Sequence, residues 1–111
     1  MRSAQAFDLT SLLEEPRAAG ASYVEFLRRP GVSLGLYTVP VGSVDGQHPH
    51  AADEVYLVQS GHGVLRVGNQ NYPVSPGSIV SVDRGVDHAF VEVAEDLKVI
   101  VVFAPPEEPT T

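Results

Sequence analysis

The sequence predicts a small all-β domain, and three observations carry that expectation. From Tyr23 onward apolar residues recur with a period of two, in short runs rich in Val, Ile, Tyr and Phe. Gly, Pro, Asn and Asp interrupt the runs about every ten residues, the turn rhythm of a β-sandwich or small barrel. Helical periodicity is confined to one piece near the start.

That piece is "DLTSLLEEPRAA", where Asp8 or Thr10 can cap, Leu9, Leu12 and Leu13 give a short apolar face, and Pro16 ends the run. It is expected as a short N-terminal helix or irregular segment. The expected strands follow as "SYVEFLRR", "VSLGLYTVPV", "EVYLVQSG", "GVLRVGNQNYPV", "GSIVSVD", "HAFVEV" and "LKVIVVF". His62, between Gly61 and Gly63, reads as an exposed residue at a hairpin turn. "GVLRVGNQNY" holds a Gly-Asn turn with no helix after it, which excludes a phosphate-binding loop. "APPEEPTT" is Pro-rich and poor in apolar residues, so residues 105–111 are expected as a loose tail on a core of about 23–104, within one domain spanning 1–111.

At 111 residues and 43% apolar content, the chain suits one domain with one core. It has no cysteine, so there is no disulfide, thiol nucleophile or thiolate metal site; imidazole and oxygen must hold any metal. The net charge is −7, and the few basic residues are scattered, Arg28-Arg29 being the tightest pairing. Without a basic stripe to neutralise phosphates, no nucleic-acid partner is expected. No apolar run approaches the roughly 20 residues of a membrane span. The opening "MRSAQAFDLTSLLEEP" lacks the layout of a secretory signal, so a cytoplasmic location and no membrane partner are expected.

The chemistry concentrates around His48-Pro49-His50 and Glu54. On a strand, His48, His50, Glu54, Tyr56 and Val58 share one parity, so both imidazoles and the carboxylate can enter one cavity. The two histidines would stand about 7 Å apart at the backbone, within imidazole reach of a shared ion. Pro49 places the triplet at a strand entry or bulge, since it cannot donate to a central ladder. A core histidine is more often a hydrogen-bonded packing residue, and H-x-H alone is a weak signal. His88 adds weight: it opens a strand just after the turn "VDRGVD".

Spacing then brings a family into view. Gly42, His48, His50, Glu54 and Gly61 reproduce G-x5-H-x-H-x3-E-x6-G, the first motif of the cupin superfamily, without departure. Gly77, Gly85 and His88 match the second motif, G-x5-P-x-G-x2-H-x3-N, where Asp83 replaces the proline and Glu92 the asparagine. The chain therefore resembles a small single-domain cupin from roughly Tyr23 to Phe103. The resemblance implies a double-stranded β-helix, a jelly roll of two antiparallel sheets, binding one divalent metal through His48, His50, Glu54 and His88. Asp83 can cap its turn through its side chain in place of the proline.

Three imidazoles and one carboxylate leave a divalent ion with net charge near +1, which favours anionic oxygen donors such as carboxylate, enolate or diol. Such ligands suit Fe, Mn, Ni, Zn or Cu alike. The expected function is a metal-dependent enzyme of dioxygenase type acting on a small organic acid or enolised ketone. The alternatives are a metal-dependent sugar or keto-acid isomerase, or a non-catalytic binding or sensor module. Glu92 and Tyr56 are the candidate catalytic proton movers: Glu92 shares the parity of His88 and Phe90 and faces inward if pairing is regular, or is solvated if the strand has reached the barrel mouth. A homodimer is expected, with "SYVEFLRR" adding to a partner's sheet edge.

Overall fold

The computed structural model describes residues 4–16, 20–46 and 49–106. A short helix, α1 (Leu9–Glu14), precedes six strands: β1 (Ser22–Arg29), β2 (Val32–Val39), β3 (Asp53–Val67), β4 (Gln70–Val74), β5 (Ile79–Val82) and β6 (His88–Ala104). Asp8 caps α1, accepting hydrogen bonds from Ser11 N at 3.0 Å and Ser11 Oγ at 2.7 Å. So short a helix is not self-sustaining in water. Lys98 anchors it, donating from Nζ to the Leu13 carbonyl at 2.6 Å and satisfying a last-turn acceptor.

Every strand pairing is antiparallel, and β3 and β6 are long enough to serve both layers of the roll. The first part of β3 pairs with β5 and with the end of β6, which in turn pairs with β2 and through it β1. The second part of β3 pairs with β4 and with the start of β6. Two sheets thus share two bent strands, the double-stranded β-helix. Tyr37, Tyr56, Val58, Leu97, Val99, Val101 and Phe103 of the larger sheet close on Leu65, Val74 and Phe90 of the smaller one.

Two expected strand breaks do not occur. "EVYLVQSG" and "GVLRV" form one continuous strand, as do "HAFVEV" and "LKVIVVF". His62 consequently lies within β3 and not at a hairpin turn; it is exposed as expected, its Nδ1 2.7 Å from Glu95 Oε1. Gly61 and Gly63 mark bulges that bend the strand from one sheet into the other. Gly61 has φ of 90°, and a Cβ there would strike the Asp96 carbonyl, so only glycine fits the bend. The β3–β4 hairpin falls instead at Gly68-Asn69, the Gly-Asn turn anticipated from sequence.

Candidate metal centre

Among the described residues, three ligand-type side chains converge between the layers. Glu54 Oε1 lies 3.2 Å from His50 Nε2, and Glu54 Oε2 lies 3.2 Å from His88 Nε2. One ligand atom from each of His50, Glu54 and His88 falls within 4.8 Å of the others. The residues arrive from three places in the chain. Glu54 is the second residue of β3, His88 the first of β6, and His50 belongs to the loop that leads into β3. His48, the fourth expected ligand, lies outside the described residues.

Strand alternation accounts for only part of this convergence. It carries Glu54, Tyr56 and Val58 inward along β3, all at most 2% exposed. His50 precedes the strand, so loop contacts and not parity aim it. Gly85 N donates to the His50 carbonyl at 2.8 Å, joining the turn before His88 to the segment before Glu54. Beside that bond, Arg84 donates to Asp53 from its backbone N at 2.9 Å and from its guanidinium at 3.3 Å. These hydrogen bonds hold the exposed Asp53 carboxyl below the usual carboxylate range. The turn itself closes through backbone, Val86 N donating to the Asp83 carbonyl at 3.2 Å. Asp53, at the start of β3, supplies the bracing carboxylate.

The donor set fits a metal. His88 Nδ1 donates to the Val86 carbonyl at 2.8 Å, which in the neutral ring leaves Nε2 bare, 3.2 Å from Glu54 Oε2. That Nε2 and both Glu54 oxygens are buried without an aligned hydrogen-bond partner among the described residues, although they lie within ion-pair distance of each other. Buried polar atoms left so are costly, and a cation between them would satisfy all of them at once. Burial, the largest influence on His88, disfavours its charge. The close Glu54 contact, the Val86 hydrogen bond and the charges of Glu54 and Asp45 outweigh it, holding the imidazole above its ordinary value.

Aromatic rings wall the cluster. Tyr56 packs its ring 5.9 Å from that of His88 and 5.6 Å from that of Phe90, and Phe103 lies 5.3 Å from His50. Tyr56 is fully buried. Glu92 is not part of this group. It is exposed and borders an open groove with His62, Val64 and Pro73. Regular pairing would have turned it inward, but Leu65 pairs with Phe90 and the adjacent Val64 with Glu92, leaving Val91 as an extra residue in β6. That bulge reverses the parity, so Val93 packs on the core and Glu92 faces water.

One residue went unnoticed in the sequence. Asp45 accepts from Tyr37 Oη through Oδ1 at 2.5 Å and from Phe90 N through Oδ2 at 2.7 Å. Burial first, then the Asp45 hydrogen bond and charge, push the Tyr37 hydroxyl well above the ordinary tyrosine range. The only hint was an acid inside the first motif's five-residue gap; its partners are 8 and 45 residues away in sequence.

A jelly roll with an interior His/Glu/His cluster defines the cupin class. Residues 35–103 match the cupin domain family, and the chain belongs to that family. It is similar to an uncharacterized protein of Streptomyces coelicolor, 47% identical over 103 residues that cover 93% of this chain and 98% of that one. It is also similar to the acireductone dioxygenase of Exiguobacterium sibiricum, 39% identical over 61 residues, which cover 50% of this chain and 34% of that enzyme. Among solved structures, TT1209 from Thermus thermophilus superposes with a TM-score of 0.79 at 25% identity, covering 92% of this chain and 98% of the other.

Proposed function

We propose that the protein is a metal-dependent enzyme of dioxygenase type acting on a small oxygen-rich acid or enolised ketone. His50, Glu54 and His88, joined by His48, would hold its single divalent ion. The observation that carries this reading is the burial of both Glu54 oxygens and His88 Nε2 without aligned partners among the described residues, facing one another. The ion would supply Lewis acidity, or electron transfer if it is iron or manganese.

The chain's own residues set what enters. One carboxylate among imidazoles leaves the loaded site positive, which draws an anionic oxygen donor. Tyr56, Phe90 and Phe103 give the cluster an apolar wall that keeps bulk water from it. Tyr56 stands beside His88 and is the better placed of the two candidate proton movers, since Glu92 faces solvent. Similarity to acireductone dioxygenase over half of this chain supports the dioxygenase direction. A homodimer through β1 belongs to the same proposal. That strand lies at the sheet edge with Tyr23 and Val24 exposed, and light scattering at the monomer mass would reject it.

Oxygen consumption by the iron-reconstituted protein, screened over enolised ketones and small hydroxy acids, tests the reaction. Substrate-dependent uptake that His88→Ala abolishes is the expected result. Turnover without oxygen on several metals would make the protein an isomerase instead, and tight binding without turnover would make it a sensor.

A further inference from the structure

The segment joining β2 to β3 is long, residues 40–52, and it delivers His50 to the site. Unstructured loops of such length are uncommon in compact domains, and ordering each residue costs conformational entropy. A site whose ligands ride on it needs tethers that hold the loop before the metal arrives. Its entry is fixed by a turn at Pro40–Ser43 and by Val41 N donating to Asp96 Oδ1 at 2.8 Å. Its exit is fixed by the Gly85–His50 bond. Between these anchors sits Asp45.

We propose that Asp45 is a positioning residue for the metal centre, its two carboxylate oxygens locking the ligand-bearing loop to β2 and β6. Oδ1 takes the Tyr37 hydroxyl, from β2, and Oδ2 takes the Phe90 amide, two residues beyond His88 on β6. One side chain therefore sets the loop that carries His50 against the strand that carries His88. The Phe90 contact is strong for its type, because an ionised acceptor shortens and strengthens an N–H···O bond. Tyr37 is itself held in place by ring contacts at 6.3 Å to Phe90 and 6.5 Å to Tyr23. The lock thus rests on packed side chains of both layers. This role presupposes that the cluster binds a metal, as proposed above.

Cobalt(II) titration by calorimetry and visible absorption, on the full chain and its Asp45→Ala, Asp45→Asn, Tyr37→Phe and His88→Ala variants, tests it. Asp45→Ala should weaken cobalt binding by about tenfold or more and alter the ligand-field spectrum. Asp45→Asn should recover most of the affinity, because its amide can accept from Phe90 N–H while donating to Tyr37 Oη. If Asp45→Ala does not fold, Tyr37→Phe, which removes one tether, decides by the same affinity and spectrum and should fall between the parent and the full loss. An Asp45→Ala protein that melts lower yet binds cobalt with the parent's affinity and spectrum overturns the proposal, as does Asp45→Asn binding as poorly as Asp45→Ala. Parent-like binding by His88→Ala would instead reject the metal reading itself, so the two failures are distinguishable.

Discussion

His88 Nε2 and Glu54 Oε2 face each other at 3.2 Å, each side chain only 1% exposed, at the beginnings of two strands that lie far apart in the chain. A carboxylate and an imidazole taken so far out of water lose hydration that their mutual attraction only partly replaces. With His88 Nε2 and both Glu54 oxygens lacking an aligned hydrogen-bond partner among the described residues, the pair is a poor device for stability and a good one for coordinating a cation. Predictions follow from that imbalance and from the bulges around it.

His50→Ala should release the metal and remove the stabilisation that the metal confers. At a hundredfold excess over the dissociation constant, a ligand specific for the folded state adds about 2.7 kcal/mol. In a domain of this size that corresponds to on the order of 10–20 °C in Tm. Calorimetric melting with and without metal should show such a gap in the parent and little or none in His50→Ala.

Proton and metal compete for His88, and they set opposite pH trends. In the metal-free protein its folded pKa is raised, with burial opposing and Glu54 the main favouring partner. Its contribution to stability is therefore complete below the unfolded imidazole value, about 6.5, and is lost as pH rises through the higher folded value. Metal binding needs the neutral ring, so affinity should rise over that same interval. Melting curves against pH, run with chelator and then with excess metal, should slope in opposite directions around neutrality.

Gly61→Ala should be among the most damaging single changes in the strands. The backbone there has positive φ, and the added methyl would meet the Asp96 carbonyl across β6. Strain of this kind, with the loss of the bend, should cost about 2–4 kcal/mol, read as a lower denaturant midpoint. Gly63, which lacks the positive φ but would meet the Glu92 carbonyl, should behave similarly.

Glu92→Gln should leave metal affinity at the parent value. Its side chain faces solvent beyond the Val91 bulge, and surface changes of this sort usually fall within about 0.5 kcal/mol. A large drop in cobalt affinity would mean that the side chain reaches the cluster.

The ligand positions were legible in the sequence where local rules govern them. Glu54, Tyr56 and Val58 alternate on an uninterrupted part of β3, so their shared face followed from spacing. The bulges were not legible. Nothing in "HAFVEV" marks Val91 as an extra residue, because pairing across β3 decides it, and one inserted residue sends Glu92 to the opposite face. Gly61 and Gly63 did signal irregular backbone, but the same residue type serves a hairpin or a bulge, and the neighbouring Asp96 carbonyl fixes which. Asp45 escaped for a related reason: its importance lies in long-range partners, Tyr37 and Phe90, that no local pattern connects.

The most direct test of the central claim is elemental analysis of bound metal after loading and desalting, in the parent and in His88→Ala. One divalent ion per chain in the parent, and almost none in the variant, is the predicted result. A parent that retains no ion, or a variant that keeps its full complement, would contradict the assignment of His50, Glu54 and His88 as a metal centre.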